Sequence, residues 1–211
     1  MIIPLQDVTL HGIPDWSLSE RDEDVLAFLG EEEFHYFTFE GLKRRLGLHP
    51  ETLSRILDRL EAEGVIKKSS EGYTVKKEIA KQLKQHHSNS SESRVMLLQT
   101  FLPSDMPVEM LVSNLRGRWF GLLRWLGLAE SVEGIALKWV TEDGDIQVDA
   151  KITMNALTIE AKFLHGYNQN LALKAAYQLM THISRLCAQA RAPMARNVGF
   201  FGNAGFYLMP T

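Results

Sequence analysis

The stretch that most constrains the fold is residues 50–64. Leu53, Ile56, Leu57 and Leu60 recur at three- and four-residue spacing, so a helix here buries one narrow stripe and leaves its other side polar. Pro50 suits the first helical turn, where a missing N–H costs nothing, and Gly64 suits a left-handed stop. Gly47 closes a shorter helix that starts at Thr38 or Phe39 and runs through Leu46. After Gly64, Val65-Ile66 and Tyr73-Thr74-Val75 read as two strands around the turn Ser69, Ser70, Glu71 and Gly72. Upstream, Ser19 can cap a helix whose first turn holds Glu20, Asp22 and Glu23, with Val25, Leu26, Phe28 and Leu29 as its apolar face.

The order helix, short helix, tight turn, longer helix, hairpin resembles the winged helix-turn-helix of MarR/ArsR-like prokaryotic transcription regulators. The likeness runs from Phe37 to Val75, roughly the first two fifths of the chain. Leu46-Gly47-Leu48 falls at the family's sharp turn, Thr52-Leu53-Ser54-Arg55 at the start of its recognition helix, and residues 57–66 at the passage into its wing. The resemblance implies a helix 50–63 in a DNA major groove, a wing 65–75 on the adjacent backbone or minor groove, and a dimer on two half-sites.

Residue chemistry fits that expectation. A helix about 10–12 Å across enters the major groove of B-DNA and reads bases from its N-terminal turns. Arg55 has the fork that bonds guanine O6 and N7 together, and Thr52 and Ser54 reach bases or phosphates. Lys43, Arg44, Arg45 and Arg59 are candidates for phosphate, which sets register without reading sequence. For Arg59, a helix-surface ion pair is the even alternative. Lys67 and Lys68 begin the wing. Glu51 and Asp58 fit phosphate poorly. The chain's net charge of −3 hides this pattern. Residues 1–37 carry nine acids against Arg21 alone, whereas residues 38–85 carry eleven bases against seven acids. The same scaffold without base readout would serve as a protein-interaction adaptor, or as a sequence-neutral chromatin protein.

A polar, Ser-rich stretch at 86–93 reads as a linker. It divides a winged-helix domain at 1–85, with an acidic N-terminal extension, from a second domain at 94–211. The expected fold class is α+β throughout, the second domain having an antiparallel sheet and two long helices. Residues 94–102 suit a strand or a buried helix. A helix from Ser104 towards Gly127 would place Leu111, Leu115, Trp119, Leu122 and Leu126 on one stripe. Residues 135–140, 146–153 and 157–163 read as strands, Asp143-Gly144 as a hairpin turn, and Leu171 to Ala190 as a long helix capped by Asn170. Along 146–153, apolar Ile146, Val148, Ala150 and Ile152 alternate with Gln147, Asp149, Lys151 and Thr153, the mark of a half-exposed strand. This domain would dimerise or sense a small-molecule effector. Trp119, Phe120, Trp125 and Arg116 are its ligand or interface candidates, although aromatics at helical spacing are also ordinary core. The aromatic tail from Gly199 to Leu208 is expected to pack.

No nucleotide, zincin or serine-hydrolase motif occurs, so an enzyme, a cofactor and a metal are not expected. His86 and His87 with His49 or His35 are a minor metal-sensing alternative. Single Cys187 precludes an internal disulfide and fits a reducing cytoplasm. The first residues lack a basic start followed by an apolar run, so a secretory signal is not expected, nor is a membrane span.

Overall fold

A computed structural model describes residues 19–76, 79, 94–154 and 156–191. Its elements are α1 (Glu20–Glu31), β1 (Phe34–Phe37), α2 (Phe39–Leu46), α3 (Pro50–Ala62), β2 (Ile66–Lys68) and β3 (Tyr73–Val75). They are followed by β4 (Arg94–Phe101), α4 (Val108–Leu115), β5 (Leu123–Ser131), β6 (Gly134–Thr141), β7 (Ile146–Thr153), β8 (Ala156–Phe163) and α5 (Gln169–Arg191). The class is α+β. The aromatic tail lies outside the described residues, as do the linker and its His86 and His87.

All eight strands join one antiparallel sheet in the order β2-β3-β1-β5-β6-β7-β8-β4. The sheet therefore runs across the boundary expected at 86–93. Its bridge is the β1–β5 pair, in which Tyr36 lies opposite Leu128 and Phe37 opposite Gly127. Glycine is required there, because a Cβ on Gly127 would sit 2.3 Å from the Tyr36 carbonyl oxygen.

Two apolar clusters divide the core. One holds Leu111 and Leu115 of α4, Ala172, Leu179 and Ile183 of α5, and the sheet residues Trp125, Leu137, Trp139, Val148 and Ile159. The other joins Leu29 of α1, Leu42 of α2 and Leu53, Ile56, Leu57 and Leu60 of α3 to Phe34, Phe37, Val65, Val75 and Leu126. Leu126, from the second half of the chain, thus completes the core of the first. The Thr38 backbone N–H donates to the Leu126 carbonyl at 2.9 Å, and the Thr38 hydroxyl caps α2 by accepting from Gly41 N–H at 3.2 Å. Gly41 lets α2 approach this closely, since a Cβ there would meet Leu126 Cα at 2.6 Å.

Three expectations need correction. The helix expected from Ser104 towards Gly127 is only α4; Gly117 (φ 74°) and Gly121 (φ 57°) break it in left-handed conformations, and β5 follows. Leu126 is consequently a strand residue rather than part of a helical stripe, and its neighbour Trp125 faces the opposite side of the sheet. The long final helix starts at Gln169, and its N-terminal cap is Asn168, whose Oδ1 accepts from Leu171 N–H at 3.0 Å, rather than Asn170. The third is the half-exposed reading of β7: Gln147 and Asp149 are buried, because the α1–β1 corner covers that face.

Candidate nucleic-acid interface

α3 begins at Pro50, with the His49 side chain accepting from Glu51 N–H at 3.4 Å. Gly47, at φ 62°, terminates α2 in the left-handed conformation just before it. With the leucine–isoleucine stripe buried, α3 turns Glu51, Ser54, Arg55 and Asp58 to solvent and half-exposes Thr52. Arg55 bonds Glu51 at 2.6 Å, with both side chains well exposed, so the pair is a light restraint that phosphate or a base could replace. β2 lies beside the C-terminal half of α3, its Lys68 N–H donating to Glu61 Oε1 at 3.0 Å. Lys67 and Lys68 are exposed, and the Lys68 ammonium sits 5.9 Å from the Tyr73 ring centre.

The other expected phosphate contacts separate into two kinds. Lys43 bonds Glu40 at 2.6 Å and Arg44 donates to the Glu40 carbonyl at 3.3 Å, both near the surface. Arg45 and Arg59 pair with side chains of other elements, Arg45 half-buried and Arg59 still 45% exposed. Arg45 Nε donates to Gln147 Oε1 at 2.9 Å, and its guanidinium lies 4.7 Å from the Phe28 ring centre. Arg59 grips the buried Asp22 through Nε at 3.0 Å and Nη2 at 2.6 Å. Burial alone would raise the Asp22 carboxyl, but Arg59 and the Ser19 N–H and hydroxyl outweigh it and hold Asp22 below its ordinary range. Arg59 itself is raised by the same carboxylate. It fastens α3 to the start of α1 and thereby orients the polar face of α3.

Sequence reasoning missed the strongest electrostatic feature altogether. Where α1 ends, Glu32 is buried against the sheet and meets two buried lysines. Lys138 Nζ donates to Glu32 Oε2 at 2.6 Å and to Asp149 Oδ2 at 3.0 Å. Lys162 Nζ donates to Glu31 Oε1 at 2.8 Å and also to Glu32 Oε1. Arg94 bonds Asp149 at 2.9 Å, and Gln147 Nε2 donates to Glu32 at 2.8 Å and Asp149 at 3.0 Å. Burial pushes the Glu32 carboxyl up, yet Lys138 and Lys162 prevail and hold it far below the usual carboxylate range. Burial likewise opposes the Lys138 charge, and Asp149 and Glu32 overcome it, so its pKa is raised. The cluster locks the corner carrying α1 and β1 to β6, β7, β8 and β4. Its one visible signal was polar residues spaced by two along these strands, which alone imply a wet face.

Of the ligand candidates, Arg116, Trp119 and Trp125 line an open groove of about 1110 Å³ between the wing turn, α2 and α4. Phe120 does not; it packs edge-on against Trp139 at 5.6 Å and beside His182 at 4.7 Å. Arg116 lies 4.4 Å from the Tyr36 ring centre, and Trp119 is 63% exposed beneath the Arg124 guanidinium. Among the described residues, no group of three or more His, Cys, Asp and Glu side chains is placed to hold a metal, and no helix is long and apolar enough to cross a membrane. Compared with known family models, curated proteins and solved structures, the chain matches none, so its reading rests on its own residues.

Proposed function

We propose that this chain is a prokaryotic, cytoplasmic DNA-binding transcription regulator of winged helix-turn-helix type. The observation that carries the reading is the set of outward polar side chains: Thr52, Ser54 and Arg55 on the leading turns of α3, and the exposed Lys67 and Lys68 on β2, which runs beside the C-terminal half of that helix. The order α1-β1-α2-α3-β2-β3, with β3 between β2 and β1, supports it. In this reading α3 enters a major groove, Arg55 exchanges Glu51 for a guanine, and the β2–β3 hairpin rests on the neighbouring backbone or minor groove. The second half of the chain senses an effector or joins two copies, and it catalyses nothing.

The test is selection from randomised duplexes by the full chain, followed by titration of the enriched site at two salt concentrations. An enriched, two-fold symmetric sequence with steep salt dependence is expected. Binding without enrichment would leave a sequence-neutral chromatin protein. One observation favours the adaptor as a second reading: Arg45 and Arg59 each already hold a side chain of this protein, so the face keeps few uncommitted cations beside Glu51 and Asp58. Absence of any duplex binding at low salt would select it.

A further inference from the structure

The sheet has two edges, and they differ. At one end β2 is only three residues long and bears Lys67 and Lys68, the short charged kind of edge that resists pairing. At the other end β4 is eight residues long and bonds β8 along one side. Among the described residues nothing pairs with its other side. Residues 95–101, Val-Met-Leu-Leu-Gln-Thr-Phe, contain no charge and no proline. The only charge of the strand, Arg94, is turned into the buried cluster against Asp149. Met96 is 60% exposed and Phe101 79% exposed.

The spacing of these residues is self-complementary. Met96 lies opposite Glu160 and Leu98 opposite Ile159, so Leu97 is an extra residue in a bulge. Counting past the bulge, Met96, Gln99 and Phe101 share the face turned away from α5, whereas Val95, Leu98 and Thr100 pair with Ala161, Ile159 and Leu157. Two antiparallel copies of β4 related by a dyad at Gln99 then bring Gln99 against Gln99, Leu98 against Thr100, and Met96 against Phe101. Every opposed pair keeps its face, and no like charges meet. Each copy covers the two apolar side chains that the other leaves exposed, with a thioether on an aromatic ring.

We propose that β4 is the dimer interface of this protein: a second copy adds its own β4 antiparallel across a two-fold axis at Gln99, joining two eight-stranded sheets into one. The pairing stands whether or not α3 reads DNA. If it does, the dimer holds the two α3 helices at opposite ends of the joined sheet, each on its own half-site.

The test is sedimentation equilibrium of the full chain at micromolar concentration, with circular dichroism to verify folding. The wild-type chain sediments as a dimer. Met96→Lys with Phe101→Lys, at side chains already exposed, folds normally but is monomeric, because like charges now oppose across the dyad. Met96→Glu with Phe101→Glu behaves the same way alone, and a mixture of the two variants recovers the dimer. In a Cys187→Ser background, Gln99→Cys crosslinks on mild oxidation, since opposed strand residues bring Cα atoms within disulfide reach of about 4.5–5.5 Å. Ser113→Cys, on exposed α4, does not. A folded wild-type monomer would overturn the proposal, as would a dimer that survives both charge variants. So would a monomer that dimerises only after residues 192–211 are removed, which would show the chain's own tail on the edge. Loss of DNA selection alone, with the dimer intact, would overturn only the regulator reading.

Discussion

Glu32→Gln tests whether the buried charge cluster joins the two halves of the sheet. The change is nearly isosteric, so it removes charge and little volume. Lys138 and Lys162 are both buried and each bonds Glu32 directly, so the variant leaves two buried lysines each short of a charged partner. Removing one member of a buried pair costs about 3–5 kcal/mol. Lys138 retains Asp149 and Lys162 retains Glu31, which places the expected loss near the lower bound, at about 3 kcal/mol. That is a large share of the roughly 5–15 kcal/mol that holds a typical protein folded. For a chain of this size it lowers the melting temperature by roughly 6–12 °C.

The pH dependence supplies an independent check on sign. The folded carboxyl of Glu32 is depressed, so its contribution is present above the unfolded value of about 4.3 and is lost as pH falls below it. Wild type therefore loses up to about 1.4 kcal/mol per pH unit below that point through this group, and the variant does not. Urea melts at pH 7, 4 and 2.5 read both effects. The two proteins should differ most at pH 7 and converge in acid. A difference under about 0.5 kcal/mol at pH 7, or parallel pH curves, would refute the reasoning, since surface pairs behave that way.

Other outcomes follow from the same geometry. Arg55→Ala should lose discrimination between the selected site and random duplex by about 1–3 kcal/mol while keeping non-specific affinity; equal losses on both would remove its role as base reader. Lys67→Ala with Lys68→Ala should weaken all duplexes alike and reduce the salt slope by about 2, measured by fluorescence anisotropy across salt. Asp22→Asn should lower the thermal midpoint and weaken specific binding, because Arg59 then no longer fixes α3 to α1; unchanged affinity would show that this anchor is unnecessary. Gly41→Ala should destabilise by about 1–3 kcal/mol in denaturant melts, as its Cβ meets strand backbone that cannot move aside; a neutral result would mean α2 is free to shift on β5.

Where the sequence was legible, one face of an element met the core and the other met water. α3 is the clear case: a single apolar stripe, a proline at its start and glycine beyond its end give type, bounds and orientation together. The same features named Thr52, Ser54 and Arg55 as outward. β5 was illegible for the opposite reason. Trp125, Leu126, Gly127, Leu128 and Ala129 are all buried, so two-residue alternation disappears, and a bulge between Trp125 and Gly127 shifts what remains. Leu122 and Leu126 then fell by chance on a helical period continued from Leu111. β1 has only four residues, too few to show a period. The partners of Arg45 and Arg59, Gln147 and Asp22, were illegible because they are 102 and 37 residues away, and nothing local signals such a contact.

The β1–β5 seam bears on how a chain like this could be taken apart. A fragment ending near residue 85 would carry α3 and the β2–β3 hairpin, but it would lack Leu126 in its core and would bare the outer edge of β1. It should be sticky and half-formed rather than a portable module. A fragment beginning at 94 would keep Lys138 and Lys162 without Glu32 to neutralise them. Neither half is cargo that recombination could hand to another gene. In the proposed regulator a swivel between the two halves is equally foreclosed along this seam of paired strands, so a message would travel as altered twist of a shared ribbon.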